Sequence, residues 1–239
     1  MTPFFDITRG IHIAAGMVAL VAMWIPIFAR KGGRAHRSAG RVYVGAMAAV
    51  AVSAVVVSGW RLVYDADPAR RYFSYFLLYI AVLAASATST GFRVLRAKDR
   101  TAPHRNAWDL GISALLVLAG AGSAVLGLNA GQVLFIAFAP IGLLVGGLQL
   151  FYWLRPPRNR MHWWIEHMAS MLTACTTTLT AVAVVNAPRL GLGQASLWVW
   201  IGLPAVLAMG TSMWTRYYRK KFASLTLAAP QVSRAIVTN

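Results

Sequence analysis

Acidic residues are what this sequence has least of: six Asp and Glu stand against 23 Lys and Arg in 239 residues. Only one of the six, Glu166, is a glutamate. Charged residues of both signs make up 12 % of the chain, against roughly 25 % in a soluble domain, so most of the surface does not face water. Cysteine is nearly absent too. The single Cys175 excludes an intrachain disulfide and any CxxC redox or metal motif, and its place inside an apolar run fits packing. No run alternates with period two, which excludes a transmembrane β-barrel. Gly-x-Ser-x-Gly, HExxH and P-loop motifs are missing, and with them the hydrolases and nucleotidases they mark. No apolar run contains a lysine, so a retinal Schiff base is excluded. Five histidines are too few for a histidine-box di-iron enzyme, and Asp-rich prenyltransferase motifs are lacking.

What the chain has in quantity is apolar length: 58 % hydrophobic residues and a mean hydropathy of +0.59. A membrane-crossing helix needs about 20 such residues. Seven runs qualify, at 11–28, 42–60, 73–92, 110–128, 133–154, 167–185 and 197–214. The expected fold class is therefore all-α: a polytopic membrane bundle of seven transmembrane helices, in one domain over residues 1–222. Residues 223–239 read as a disordered cytoplasmic tail. Arg30, Lys31, Arg34, Arg37 and Arg41 follow the first run as a stop-transfer pattern, so it reads as a retained helix rather than a cleaved signal peptide.

The basic residues do not point to nucleic acid, because they sit in short clusters between apolar runs. Eighteen of the 23 fall in the loops after the first, third and fifth runs and in the tail, and five fall on the other side. The positive-inside rule then places the N-terminus outside and the C-terminus in the cytoplasm. Trp60, Trp198 and Trp200 fall at predicted outer ends. Trp108, Trp153, Trp163, Trp164 and Trp214 fall at inner ends, where indoles favour the headgroup boundary. Gly120, Gly122, Ser123, Gly142 and Gly146 read as close helix contacts, and Pro140 and Pro204 as kinks.

Three basic stretches carry the chemistry: Gly33–Arg41, Arg100–Asn106 and Arg158–His167. Each closes one apolar run, opens the next and places histidine among arginines. Ionisable groups at such depths suggest function. His36, His104, His162 and His167 lie at the cytoplasmic ends of the second, fourth and sixth spans. Two facing imidazoles from different helices are what axial ligation of a b-type haem needs, with Arg37, Arg41 and Arg105 placed for its propionates. Three histidines, His36 and His104 with His162 or His167, and a carboxylate would instead suit a Zn, Cu or Fe site. His162 and His167 are five residues apart and do not point at one centre from one regular helix. Glu166 and His167 open a span rich in threonine, which reads as a proton-handling or quinone-headgroup site. The alternative is that the threonines bond their own helix and Glu166 pairs with an arginine such as Arg160. Asp109 reads as a helix N-terminal acid, and His12, at the outer end of the first span, as a bond to a neighbouring helix.

His12-x3-Gly16, the run Lys31-Gly32-Gly33-x2-His36-Arg37-x2-Gly40-Arg41-x-Tyr43, and His104-Arg105-x2-Trp108 together resemble the DUF2306 group of predicted bacterial membrane proteins. The resemblance is clearest over residues 7–110 and implies a multi-pass protein of the bacterial inner membrane. Histidines on alternate helices also resemble small membrane b-type cytochromes in architecture. Two functions stay open. One is a haem- or metal-bearing electron-transfer protein. The other is a non-enzymatic component (accessory subunit, scaffold or small transporter) whose basic face binds anionic lipid or other membrane subunits.

Overall fold

A computed structural model describes residues 3–186, 189, 191 and 196–223, and every one of its long elements is an α-helix. Helix α1 (Pro3–Ala22) breaks at Met23 and continues as the short α2 (Trp24–Phe28). Then follow α3 (Arg34–Tyr64), α4 (Pro68–Arg93) with a 3-10 turn at Val94–Arg96, α5 (Ala107–Ala130), α6 (Val133–Leu154), α7 (His162–Asn186) and α8 (Ser196–Lys221). No strand occurs among the described residues. Six of these stretches are long and apolar enough to cross a membrane. The seventh expected span falls on α8, where the side chains of residues 196 and 197 lie outside the described set. The tail expected at 223–239 lies outside it from residue 224 on.

The helix ends follow local chemistry. The Asp67 carboxylate accepts from the Ala69 N–H, with Pro68 at the first helical position of α4. The Asn106 side chain accepts from the amides of Trp108 and Asp109 and starts α5. Gly131, at φ +63°, closes α5 in the left-handed conformation, which lets α6 turn back within two residues. Helix α3 begins at Arg34, well before the apolar run at Val42, so the first basic stretch is itself helical.

Helix α4 is the centre of the bundle. Of its apolar window 61 % is buried, against 17–33 % for the other five spans. Beside Phe76, Ile80 and Leu83, many of its buried side chains are small or hydroxylated (Ser74, Ser86, Ala87, Thr88, Thr90, Gly91), which suits close helix contact where lipid supplies no hydrophobic drive. One core cluster joins α1, α3, α4 and α7 around Met23, Tyr43, Met47 and Ala174. A second joins α4, α5, α6 and α8 around Phe76, Leu116, Phe138 and Trp200.

Three of the four glycines expected at contacts are there, and Ser123 bonds the Phe135 carbonyl of α6, but Gly122 faces open space, with nothing within 4 Å of a Cβ built on it. A Cβ on Gly120 would stand 2.9 Å from the Leu143 nitrogen, and one on Gly146 2.9 Å from the Ser113 carbonyl. At Gly142 it would meet the Tyr79 hydroxyl at 2.6 Å. That hydroxyl donates to the Phe138 carbonyl (2.7 Å) and accepts from the Gly142 amide (2.9 Å), standing in for one rung of α6 beside Pro140. Two tryptophans depart from the interfacial expectation. Trp153 is fully buried and Trp200 is 6 % exposed, the first under the His104 ring at 4.9 Å, the second within the aromatic cluster.

Candidate functional site

The three basic stretches meet at one end of the bundle. The His162 ring bonds the Lys98 carbonyl, Arg100 bonds the Arg155 and Tyr152 carbonyls, and the Asn159 amide donates to the Phe222 carbonyl. Here α2 stops after five residues, leaving its last carbonyls without helical partners. The Lys31 ammonium donates to the carbonyls of Pro26 (2.9 Å) and Ile27 (2.5 Å), and His36 Nδ1 lies 3.1 Å from the Pro26 carbonyl. Helix α4 runs out in the same way at the 3-10 turn, and the Gly91 carbonyl is taken by His167 Nδ1 at 2.6 Å. Gly91 is required for that approach, since a Cβ there would stand 2.8 Å from Met171 Sδ and 3.2 Å from its backbone nitrogen.

These two histidines come together. Their ring centroids are 6.2 Å apart at 63°. Each Nδ1 faces a carbonyl, which only accepts, so in the neutral ring Nδ1 carries the proton and Nε2 keeps its lone pair. Carbonyl anchoring of the far nitrogen is the usual way an imidazole is oriented for ligation. Both rings line a cavity of about 360 Å³. Met168, Met171, Tyr43 and Cys175 form its inner wall, Trp163 and Trp164 flank it, and Lys31, Arg37 and Lys98 stand around it. Six residues of one sequence motif, Lys31, Gly32, His36, Arg37, Gly40 and Tyr43, line this one space.

The other expected residues are held elsewhere. His104 Nε2 lies 3.0 Å from the Asp109 carboxylate, which also takes a forked contact from the Arg93 guanidinium. Asp109 is thus both a first-turn acid of α5 and the 2 %-exposed centre of an ion-pair network. His162 has both nitrogens engaged, Nδ1 with the Tyr152 hydroxyl at 2.7 Å and Nε2 with the Lys98 carbonyl at 3.0 Å. As expected from their spacing, His162 and His167 face different partners. Arg41 bonds back to the Arg37 carbonyl, and both are exposed, as is Arg105 in the loop beside His104. Glu166 accepts from the Ser170 hydroxyl at 3.2 Å and has no ion pair among the described residues, so the expected pairing with Arg160 is absent there. It does not line the His36–His167 cavity. His12 Nδ1 bonds Ser53 of α3 at 3.0 Å, the neighbour-helix contact expected of it.

Sequence reasoning missed Arg93, Arg100 and Gly91. Arg100 spans the end of α6 through two carbonyls, with its guanidinium 4.4 Å from the Tyr152 ring centre. A helix terminus that sequence cannot place to the residue hides such partners. No cluster of three or more His, Cys, Asp and Glu among the described residues is arranged to hold a metal ion. No family model, curated protein or solved structure matches this chain.

Proposed function

We propose that this chain is an inner-membrane electron-transfer protein that carries a b-type haem between His36 and His167. The basic end lies at the cytoplasmic face in this reading, with the N-terminus outside. The carrying observation is the pair of cavity-lining imidazoles, anchored through Nδ1 with centroids 6.2 Å apart. At that separation His36 and His167 would together hold one iron. A porphyrin supplies four nitrogens of its own, so two protein ligands complete the set. A bare Zn or Cu ion wants a third or fourth ligand from the protein. Lys31, Arg37 and Lys98 around the cavity suit propionates. When bound, the haem supplies one-electron transfer. The residues of this chain orient the imidazoles and wall off water with methionine and tryptophan. The motif that underlies the DUF2306 resemblance is the one that lines the cavity.

The visible spectrum of detergent-purified protein tests the reading. A Soret band with a sharp reduced α-band is expected, lost in His36→Ala and in His167→Ala and kept in His104→Ala. A colourless protein that takes up no added haemin overturns it. That result would favour the non-enzymatic alternative, for which the observation is the exposed Arg34, Arg37, Arg41 and Arg105, free of acidic partners among the described residues and suited to anionic lipid.

A further inference from the structure

Helix α7 separates two cavities. His167, Met168, Met171, Leu172 and Cys175 line the first, and Thr173, Thr176, Thr177 and Thr180 line a second of about 450 Å³ on the opposite face. The second lies at the middle of the spans, between α4, α6, α7 and α8. Its remaining walls are apolar: Ile80 and Leu83 of α4, Phe138 and Ile141 of α6, and Trp200 and Pro204 of α8. On α8, Ile201, Ala205 and Ala208 line it and are also exposed on the outer surface, so the cavity opens sideways toward lipid.

Hydroxyl bookkeeping defines what it accepts. Thr173, Thr177 and Thr180 each donate their one proton to a carbonyl four residues back (2.9, 3.0 and 2.8 Å), and Thr211 of α8 does the same at 3.0 Å. Each oxygen keeps lone-pair capacity, and no hydrogen to give. The Thr176 and Ser212 hydroxyls have no partner among the described residues and keep both a proton and lone pairs. At this depth no bulk water satisfies them. A ligand that only accepts hydrogen bonds, such as a ketone, ester or quinone, is met by these two donors alone. A ligand that also donates gains the acceptor oxygens of Thr173, Thr177, Thr180 and Thr211 as well. The aromatic side chains in the wall add a second preference, since Phe138 and Trp200 stand 6.0 Å apart, edge to face.

The geometry points to a binding site for a lipid-soluble aromatic molecule with hydroxyl donors, the chemistry of a hydroquinone, entering from the bilayer between α6 and α8. The site discriminates by hydrogen-bond direction and prefers the reduced, donating form over its oxidised counterpart. It uses no residue of the histidine cavity and stands or falls independently of haem.

The purified full chain in detergent, kept under argon, is titrated by calorimetry with tetramethylhydroquinone and with its dimethyl ether, which has the same ring and no donor. The hydroquinone is expected to bind about tenfold tighter, the worth of one or two hydrogen bonds. Thr173→Val with Thr177→Val, which remove two acceptors and no free donor, should narrow the gap between hydroquinone and ether and leave the ether unchanged. Serine at both positions should restore the difference, and His36→Ala should not alter it. Equal affinities for the two compounds, no binding of either, or a gap that the valines leave unchanged overturns the proposal. The comparison of compounds uses the unaltered chain and needs no variant to fold.

Discussion

Asp109 is the residue on which the basic end is most dependent. It is 2 % exposed and meets Arg93 through both oxygens and His104 through one. Removing one member of a buried pair leaves the others charged or polar without a partner, which costs more than the pair contributes when intact. Asp109→Ala should lower stability by about 3 kcal/mol, read as a fall in the thermal midpoint in detergent. Arg93→Met should cost less, because Arg93 is a quarter exposed and its loss leaves Asp109 with His104. Equal costs would mean that the carboxylate is not the hub. His12 makes a plainer residue-scale case: its bond to Ser53 ties α1 to α3.

At the scale of the element, the contacts worth testing are those where one helix borrows a group from another. Tyr79 of α4 supplies α6 with a hydroxyl beside Pro140, and Gly142 leaves room for it. Tyr79→Phe should cost about 1 kcal/mol, the net worth of one buried hydrogen bond. Gly142→Ala should cost about 1–3 kcal/mol through overpacking. The two should not add, because the phenylalanine withdraws the atom that the new methyl meets first. Strict additivity in a double-mutant cycle would show that α6 does not depend on the hydroxyl. Gly91→Ala should separate α4 from α7 at Met171 and remove the His167 anchor, so haem or haemin binding should fall along with stability.

Helices and most of their small-residue contacts, Gly122 excepted, were legible from sequence, because span length and glycine spacing are local properties. The tie of His12 to a neighbour was legible for the same reason, an imidazole with few alternatives in lipid. Which histidines share a space was not. His36 and His167 meet because α2 ends at Phe28 and α4 ends at Arg93, each exposing a carbonyl that fixes one ring. Helix ends are the least readable feature of a sequence. The burial of Trp153 was hidden similarly, since it depends on the 97–106 loop folding back so that the His104 amide bonds the Trp153 carbonyl.

At the scale of the whole molecule, the loops joining α2 to α3, α4 to α5 and α6 to α7 share one end with the C-terminus of α8. Orientation is testable in the Cys175→Ser background, with single cysteines at 66 between α3 and α4 and at 157 between α6 and α7. In intact cells a membrane-impermeant thiol reagent should label position 66 and spare 157. The reverse pattern would place the basic end outside.

Seventeen of the 22 described cations lie in or beside the loops of the basic end and at the end of α8, and they bear on how two copies of this chain sit together. If the basic end is the cytoplasmic one, as proposed, each charge would cost about 2.3 kcal/mol per 100 mV to carry across a polarised bilayer, which disfavours upside-down insertion of a second copy. Self-association would then favour side-by-side pairs of the same polarity over head-to-tail ones. Such a pair would hold both histidine cavities on the same leaflet.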